Sequence, residues 1–318
     1  MKTLGFLGID VGTQGLSVIF TNTELKILVT GEGSYEMVPG LDPECYEQQP
    51  SDWESALKNA MADLRKKMSS LQIDMEVLAI GISGQMHGEV LAKEDGEVVG
   101  PARLWCDGRN EIEGEELTER LGVKCPKRMT AVRWLWTIRN QPEKARLVRH
   151  ITTPAGWIAY RLTGSWSLGI GDAAGMFPID QKTLTYNTTM LDEFDLVAND
   201  SAKNSILKNT LSKLSDLLPS VKKAGEDGSV LDSNGAEFLG LPEGVPVAPA
   251  EGDQPSALAG SLIAAPGQVS MSFGTSVVAN SVGDRAFEGI SLPIDHFCAP
   301  DGRPINMIWL QNGTTYMN

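Results

Sequence analysis

Residues Phe6–Phe20 read FLGIDVGTQGLSVIF: an apolar run that stops at Asp10, passes through Gly12, Thr13, Gln14 and Gly15, and resumes as an alternating segment. Leu16, Val18 and Phe20 alternate with Ser17 and Ile19 at the two-residue period of a half-buried strand, so the stretch predicts strand, tight turn, strand. Glycines at such a tip let backbone N–H groups approach a ligand closely, and Asp10 beside them can hold a hydrated Mg²⁺. That combination suits a metal-bound phosphate. The same residues also make an ordinary β-turn, and the hairpin alone does not separate the two readings. Spacing excludes the two best-known nucleotide loops. Gly8, Gly12 and Gly15 lead into a strand rather than opening a helix, and no Gly-Lys-Ser/Thr tripeptide is present.

The rest of the chain sets bounds on such a site. At 318 residues, 42% apolar and 21% charged, the composition is that of an ordinary globular protein with room for two domains. A net charge of -14 argues against a nucleic-acid or anionic-membrane surface, so a phosphate site must be local and the partners small polar molecules. The start, MKTLGFLGID, lacks the pattern of a signal peptide, and no segment is apolar enough to predict a membrane span. Cys45, Cys106, Cys125 and Cys298 are scattered without metal or disulfide spacing, which points to a reducing, cytoplasmic compartment.

Lys26–Gly33 predicts a third strand, Tyr35–Pro50 a proline-rich surface excursion, and Ser51 with Glu54 a capping box opening an amphipathic helix through Leu64. Val77–Ile82, VLAIGI, reads as a buried strand delivering Ser83, Gly84, Gln85, Met86, His87 and Gly88 at its carboxyl end, where open α/β sheets gather ligand groups. A second polar cluster, Trp105, Asp107 and Arg109, ends the run PARLWCDGR. Asp107 and Arg109 either face a ligand or pair with each other. Helices are expected between Glu111 and Leu147 and again over Thr153–Leu162, the latter with Pro154 in its first turn and Gly164 beyond its end. Gly171–Gly175 reads as a small-residue turn that lets elements pack closely, and Leu184–Lys223 as a helical peripheral layer. Leu239–Pro249, rich in Pro and Gly, is the expected interdomain crossing. Beyond it come Glu251-Gly252-Asp253-Gln254-Pro255, the alternating QVSMSFGTSVV interrupted by Gly274-Thr275, and a last strand-like run at Ile305–Leu310.

Four dispersed motifs, GIDVGT, SGQMHG, LWCDGR and the pair GD with SFGTS, together resemble the FGGY carbohydrate kinases, most of all the xylulokinase branch, in consistent order from Leu7 onward. The resemblance implies an α/β fold of the actin/Hsp70/sugar-kinase class, RNase H-like, with a complete first domain over 1–245 and a partial second domain over 246–318. It places Asp10, with Gly12, Thr13 and Gln14, near Mg²⁺ and the transferred phosphate of ATP, and Gly274 with Thr275 on the nucleotide phosphates from the other domain. It makes Asp253 the general base facing the sugar hydroxyl. A carboxylate within reach of the nucleophile accepts its proton while metal and amides neutralise charge on the phosphate.

The turn Gln85, Met86, His87 is typical of xylulokinase-like members, where it touches a ketose, whereas the glycerol-kinase branch carries Arg-Glu. D-xylulose is accordingly the expected substrate, with ribulose, sedoheptulose and glycerol as alternatives. By the same resemblance Asp107 hydrogen-bonds sugar hydroxyls, Trp105 walls the pocket, and Arg109 either joins them or orients Asp107. His87 has no clustered Cys or His partners to make it a metal ligand. Two departures stand out. Glu251-Gly252-Asp253-Gln254 replaces the Gly-Gly-Asp-Asn of many xylulokinases. Family members also continue well past the position of Asn318, so the resemblance implies a chain without its adenosine wall and with weak or absent kinase activity. A non-catalytic sugar-binding relic and an actin-like ATPase are the competing readings, and a homodimer stays open.

Overall fold

Thr3–Val11 lies in the middle of a seven-stranded sheet, antiparallel to Gly15–Asn22 and parallel to Met75–Gly84. The structure is a computed structural model describing residues 2–226, 228–262, 265–273, 276–285, 290 and 294–311. Ile27–Ser34 forms one edge of the sheet against Gly15–Asn22. Leu7, Ile9 and Val11 and their neighbours Leu16, Val18 and Phe20 are buried, as the alternation predicts. They face helix Pro50–Ser70, which buries Trp53, Ala56, Leu57, Ala60, Met61, Leu64 and Met68. Each buried Leu or Met in that seam contributes on the order of 2 kcal/mol. The helix lies so close to the edge strand that a Cβ on Gly33 would stand 2.2 Å from the Ala56 carbonyl oxygen.

The expected capping box at Ser51 does not form. Pro50 occupies the first turn after Gln49, so the helix begins earlier and Ser51 falls inside it. Proline is favoured there because its missing N–H would have had no helical partner. The Ser51 carbonyl accepts from Ser55 Oγ at 2.9 Å, while Glu54 pairs with Arg161 at 3.1 Å.

Helices Glu111–Leu121, Thr130–Asn140 and Thr188–Ala202 pack on one another as a second layer. Pro154–Thr163 opens as its sequence predicts: Thr153 Oγ1 accepts from Gly156 N at 3.2 Å, and Gly164 closes the helix in the left-handed region at φ 66°. Two expectations are corrected. Gly171–Gly175 is not a turn but part of helix Ile170–Met176, every residue of which is buried. Its small side chains serve close packing inside a helix. The Pro-rich stretch read as an interdomain crossing belongs to the first sheet, because Pro246–Val247 and Glu251–Gly252 both pair in parallel with Met75–Gly84. The sheet therefore runs past residue 245.

Helix Asp253–Gly260 follows directly, then a four-stranded antiparallel sheet ordered Ser270–Phe273, Ser276–Val282, Pro304–Gln311, Ile294–Cys298. Its strand Ile294–Cys298 packs on helix Ile170–Met176. Asp295, buried there, pairs with Lys124 at 3.1 Å and with Arg128, tying the second sheet to the helical layer. Among the described residues no helix is long and apolar enough to cross a membrane.

Candidate active site

The hairpin tip is pinned from beneath by side chains of the proline-rich excursion. Tyr35 donates its hydroxyl to the carbonyls of Gly12 and Gly15, the latter at 3.0 Å. Gln48 Nε2 donates to the Thr13 carbonyl at 2.8 Å, and its own Oε1 accepts from Trp53 Nε1 and Gln85 Nε2, both at 3.0 Å. Gln85 in turn accepts from Thr13 Oγ1 at 3.2 Å. Neutral donors and acceptors thus meet in a closed network under the turn, and burial strengthens each bond. Gln85 is buried inside it. Sequence reading missed Tyr35, Gln48 and Trp53, since their contacts span long separations.

Asp10, next to last in the central strand, lies beside this turn, exposed, with Oδ1 accepting from Ser83 Oγ at 2.6 Å. One exposed hard oxygen donor at a strand end fits Mg²⁺, which keeps most of its water and shares substrate phosphates. Gln14 lies at the tip of the same turn. Gly274 and Thr275 lie outside the described residues.

A cavity of about 610 Å³ opens next to the turn, lined by Thr13, Met86, His87, Trp105 and Asp253 among the expected residues. Glu44, Tyr46, Cys106, Gly108, Lys127, Arg128, Gln254, Val278 and Met307 complete it. Trp105 is 39% exposed and donates Nε1 to Thr13 Oγ1 at 3.1 Å, so the indole forms a wall hinged on the hairpin. His87 is held in the left-handed region at φ 65°, an uncommon place for a residue with a Cβ. Its carbonyl accepts from Thr130 Oγ1 at 3.1 Å and from the Arg133 guanidinium, and its ring meets Phe297 at 5.5 Å. Burial, followed by the charge of Arg128, drives its pKa well below the ordinary imidazole value. The ring is therefore neutral. Nδ1 faces the Gly175 carbonyl at 2.9 Å, which assigns the proton to Nδ1 and leaves Nε2 an acceptor.

Asp107 and Arg109 stand behind the cavity. Asp107 is fully buried, with Oδ2 accepting from Tyr46 N at 2.9 Å and both oxygens engaged by Arg109. Arg109 also binds Glu47 at 2.6 Å. Although burial opposes ionisation of Asp107, the Arg109 hydrogen bond and the Tyr46 amide bring its carboxyl below the usual range. The pair is a brace for the Trp105 loop.

Asp253 is the first residue of its helix, with Glu251 two positions before it in the sheet. Burial, then the charge of Asp10, pushes its carboxyl up to about 6. Glu251 is buried and pushed up by burial to about 8, with both oxygens on the amides of Gly171 and Asp172. Asp172, wholly buried, is raised well above the usual range by burial; Thr153 Oγ1 donates to its Oδ2 at 2.6 Å. Neither Glu251 nor Asp172 was singled out in the sequence as a site residue.

The profile of the FGGY family of carbohydrate kinases, N-terminal domain, matches residues 6–260. The chain belongs to the FGGY family of carbohydrate kinases. It is 26% identical over 98% of its length to a protein named xylulose kinase from Haemophilus influenzae, and covers 62% of that protein. Among solved structures it is similar to a xylulose kinase from Rhodospirillum rubrum, at a TM-score of 0.83 and 18% identity, and to a gluconate kinase from Lactobacillus acidophilus at the same score and identity. The chain covers 98% and 99% of itself on these folds but only 62% and 61% of theirs. It thus spans about three fifths of the length of these relatives. The fold is that of the actin/Hsp70-like sugar kinases, as the FGGY motifs imply.

Proposed function

We propose that this FGGY protein transfers the γ-phosphoryl group of ATP to a hydroxyl of a small ketose, D-xylulose first, with Asp253 as general base. One observation carries the reading. Asp253 lines the same cavity beside the hairpin as Thr13, Met86, His87 and Trp105. A pocket that combines aromatic and apolar surface with a few polar groups and one carboxylate of raised pKa suits a polyhydroxylated substrate and a proton-abstracting step.

In this reading Asp253 hydrogen-bonds the reacting hydroxyl and takes its proton as the oxygen–phosphorus bond forms, so that the alkoxide never stands free. A carboxylate raised to about 6 is ionised at neutral pH yet more basic than an ordinary aspartate, which suits the task. His87 offers a neutral ring fixed by Gly175, so its Nε2 accepts from a donor hydroxyl. Trp105 excludes water from one side, and Thr13, held by Gln85 and Trp105, orients the hairpin. Asp10, with Gly12, Thr13 and Gln14 beside it, is the residue that would hold Mg²⁺, which when bound neutralises charge on the phosphate oxygens. Gly274 and Thr275 belong to the reading by resemblance alone. Four free cysteines support a reducing, cytoplasmic setting.

The test is sugar-dependent ADP release over a panel of D-xylulose, ribulose, sedoheptulose, glycerol and gluconate. Gluconate is included because Lys127 and Arg128 line the cavity. Stimulation by D-xylulose above the others supports the reading. Sugar binding without turnover, unchanged by D253N, favours a non-catalytic binder.

A further inference from the structure

Helix Ile170–Met176 touches both the strand that leads into Asp253 and the turn that carries His87. At its start, Glu251 Oε1 accepts from Gly171 N at 3.3 Å and Oε2 accepts from Asp172 N at 3.0 Å. Near its end, the Gly175 carbonyl meets His87 Nδ1 at 2.9 Å. Both contacts depend on missing side chains. A Cβ on Gly171 would lie 2.4 Å from Glu251 Oε2, and one on Gly175 would lie 2.9 Å from His87 Nδ1. The helix is a short buried rod with the strand of Asp253 at one end and the His87 turn at the other.

The strand itself is short, with the preceding residue anchored where Gly169 N donates to the Ala250 carbonyl at 2.7 Å. Glu251–Gly252 is only two residues long, paired in parallel with Ser83 and Gly84, and leads straight into Asp253. Gly252, which precedes the helix, carries no side chain to cap it. A two-residue ladder fixes little of the helix that follows, and the two-oxygen grip of Glu251 on the buried helix adds a side-chain constraint two residues before Asp253. We infer that Glu251 is a positioning residue for Asp253, fixing the distance between the base and the His87 turn through helix Ile170–Met176. This rests on the reading of Asp253 as general base. Displacing a catalytic group by about 1 Å costs on the order of 10²-fold in rate.

The experiment compares E251A, E251Q and D253N, in the protein made from its complete coding sequence, with D-xylulose and Mg-ATP. E251A is expected to lower kcat at least tenfold while KM for the sugar moves less than threefold. E251Q keeps one acceptor oxygen and should fall between E251A and the parent, and it decides the matter if E251A does not fold. Hydrogen–deuterium exchange on the same proteins should show faster exchange in E251A over both 170–176 and 85–88. Values of kcat within twofold of the parent in both variants, or a rise in KM at constant kcat, overturn the inference. Full turnover in D253N would instead remove the base reading. The exchange measurement then decides, and an unchanged 85–88 segment in E251A overturns the brace.

Discussion

The two walls of the cavity are held in opposite ways. Under the hairpin, Tyr35, Gln48, Trp53 and Gln85 form a network of neutral groups, each donor meeting an acceptor. Behind Asp253, the braces are carboxyls, Glu251 and Asp172, buried against amides and a threonine hydroxyl. A neutral network keeps its strength across pH. Buried carboxyls do not, since ionising them in a low-dielectric interior is costly. The hairpin side of the site is therefore expected to be indifferent to pH and the Asp253 side sensitive to it.

The largest effect should come from removing the proposed base. D253N is expected to lower kcat by about 10² to 10⁴, the usual contribution of general base catalysis, with sugar affinity changed only a few-fold. Isothermal titration of sugar alongside steady-state turnover separates the two quantities. For the parent, kcat/KM should rise with pH through about 6 as the Asp253 carboxyl ionises. A flat profile between pH 5 and 7 would break the assignment.

Next comes the pH dependence of folding on the base side. The Glu251 carboxyl ionises near the ordinary glutamate value when unfolded and only at about 8 when folded. A raised carboxyl pKa means the folded state holds its proton longer, so the stabilisation is full below the unfolded value and is lost as pH rises toward 8. Between pH 5 and 8 the parent should lose about 3 kcal/mol of its advantage over E251Q, which has no proton to release. Urea melts of both proteins at three pH values read this difference. A constant gap would mean that Glu251 is ionised in the fold throughout.

How far the sequence announces these walls depends on contact range. The hairpin, the strand ending at SGQMHG and the helix with Pro154 in its first turn and Gly164 beyond its end follow from periodicity and local chemistry and are all present, but the strand buries Val77, Ile80 and Ile82 on one face only and leaves Leu78 exposed. Local reasoning fails where a tertiary contact sets the outcome. Gly171 and Gly175 look like turn residues because small side chains leave no periodic signal, yet they are helical and small because Glu251 and His87 fill the space. Pro246–Val247 looks like a linker because two prolines flank it, and becomes a sheet strand because Met75–Gly84 has an open edge there. Tyr35 and Gln48 sit in a stretch that reads as surface loop. Their partners at Gly12 and Thr13 lie 23 and 35 residues away, and no spacing rule connects them. The cavity residues from the FGGY motifs were legible as chemistry. Asp107 and Arg109 were legible only as a choice, and the structure shows them paired.

On the neutral side, Q48A should be felt as stability at any pH. Gln48 is 1% exposed and joins Thr13, Trp53 and Gln85, so its truncation strands buried partners. A loss of about 2 kcal/mol is expected, since a buried polar group left without a partner costs about 1–3 kcal/mol. The same loss at pH 5 and pH 8 would sharpen the contrast with Glu251, while a pH-dependent loss would tie the two walls together.

The smallest effect is expected at the wall itself. W105F removes the hydrogen bond from indole Nε1 to Thr13 Oγ1 but keeps an aromatic face at a position that is 39% exposed. Water can replace the lost donor, so stability should fall by about 1 kcal/mol or less. The hinge between wall and hairpin is lost all the same, and KM for the sugar should rise a few-fold with kcat less affected, because the ring helps shape the pocket in ground and transition states alike. If W105F instead lowers kcat as far as E251A while leaving KM alone, Thr13 must depend on the indole for its position. The hairpin would then be no better anchored by its neutral network than Asp253 is by its carboxyl brace.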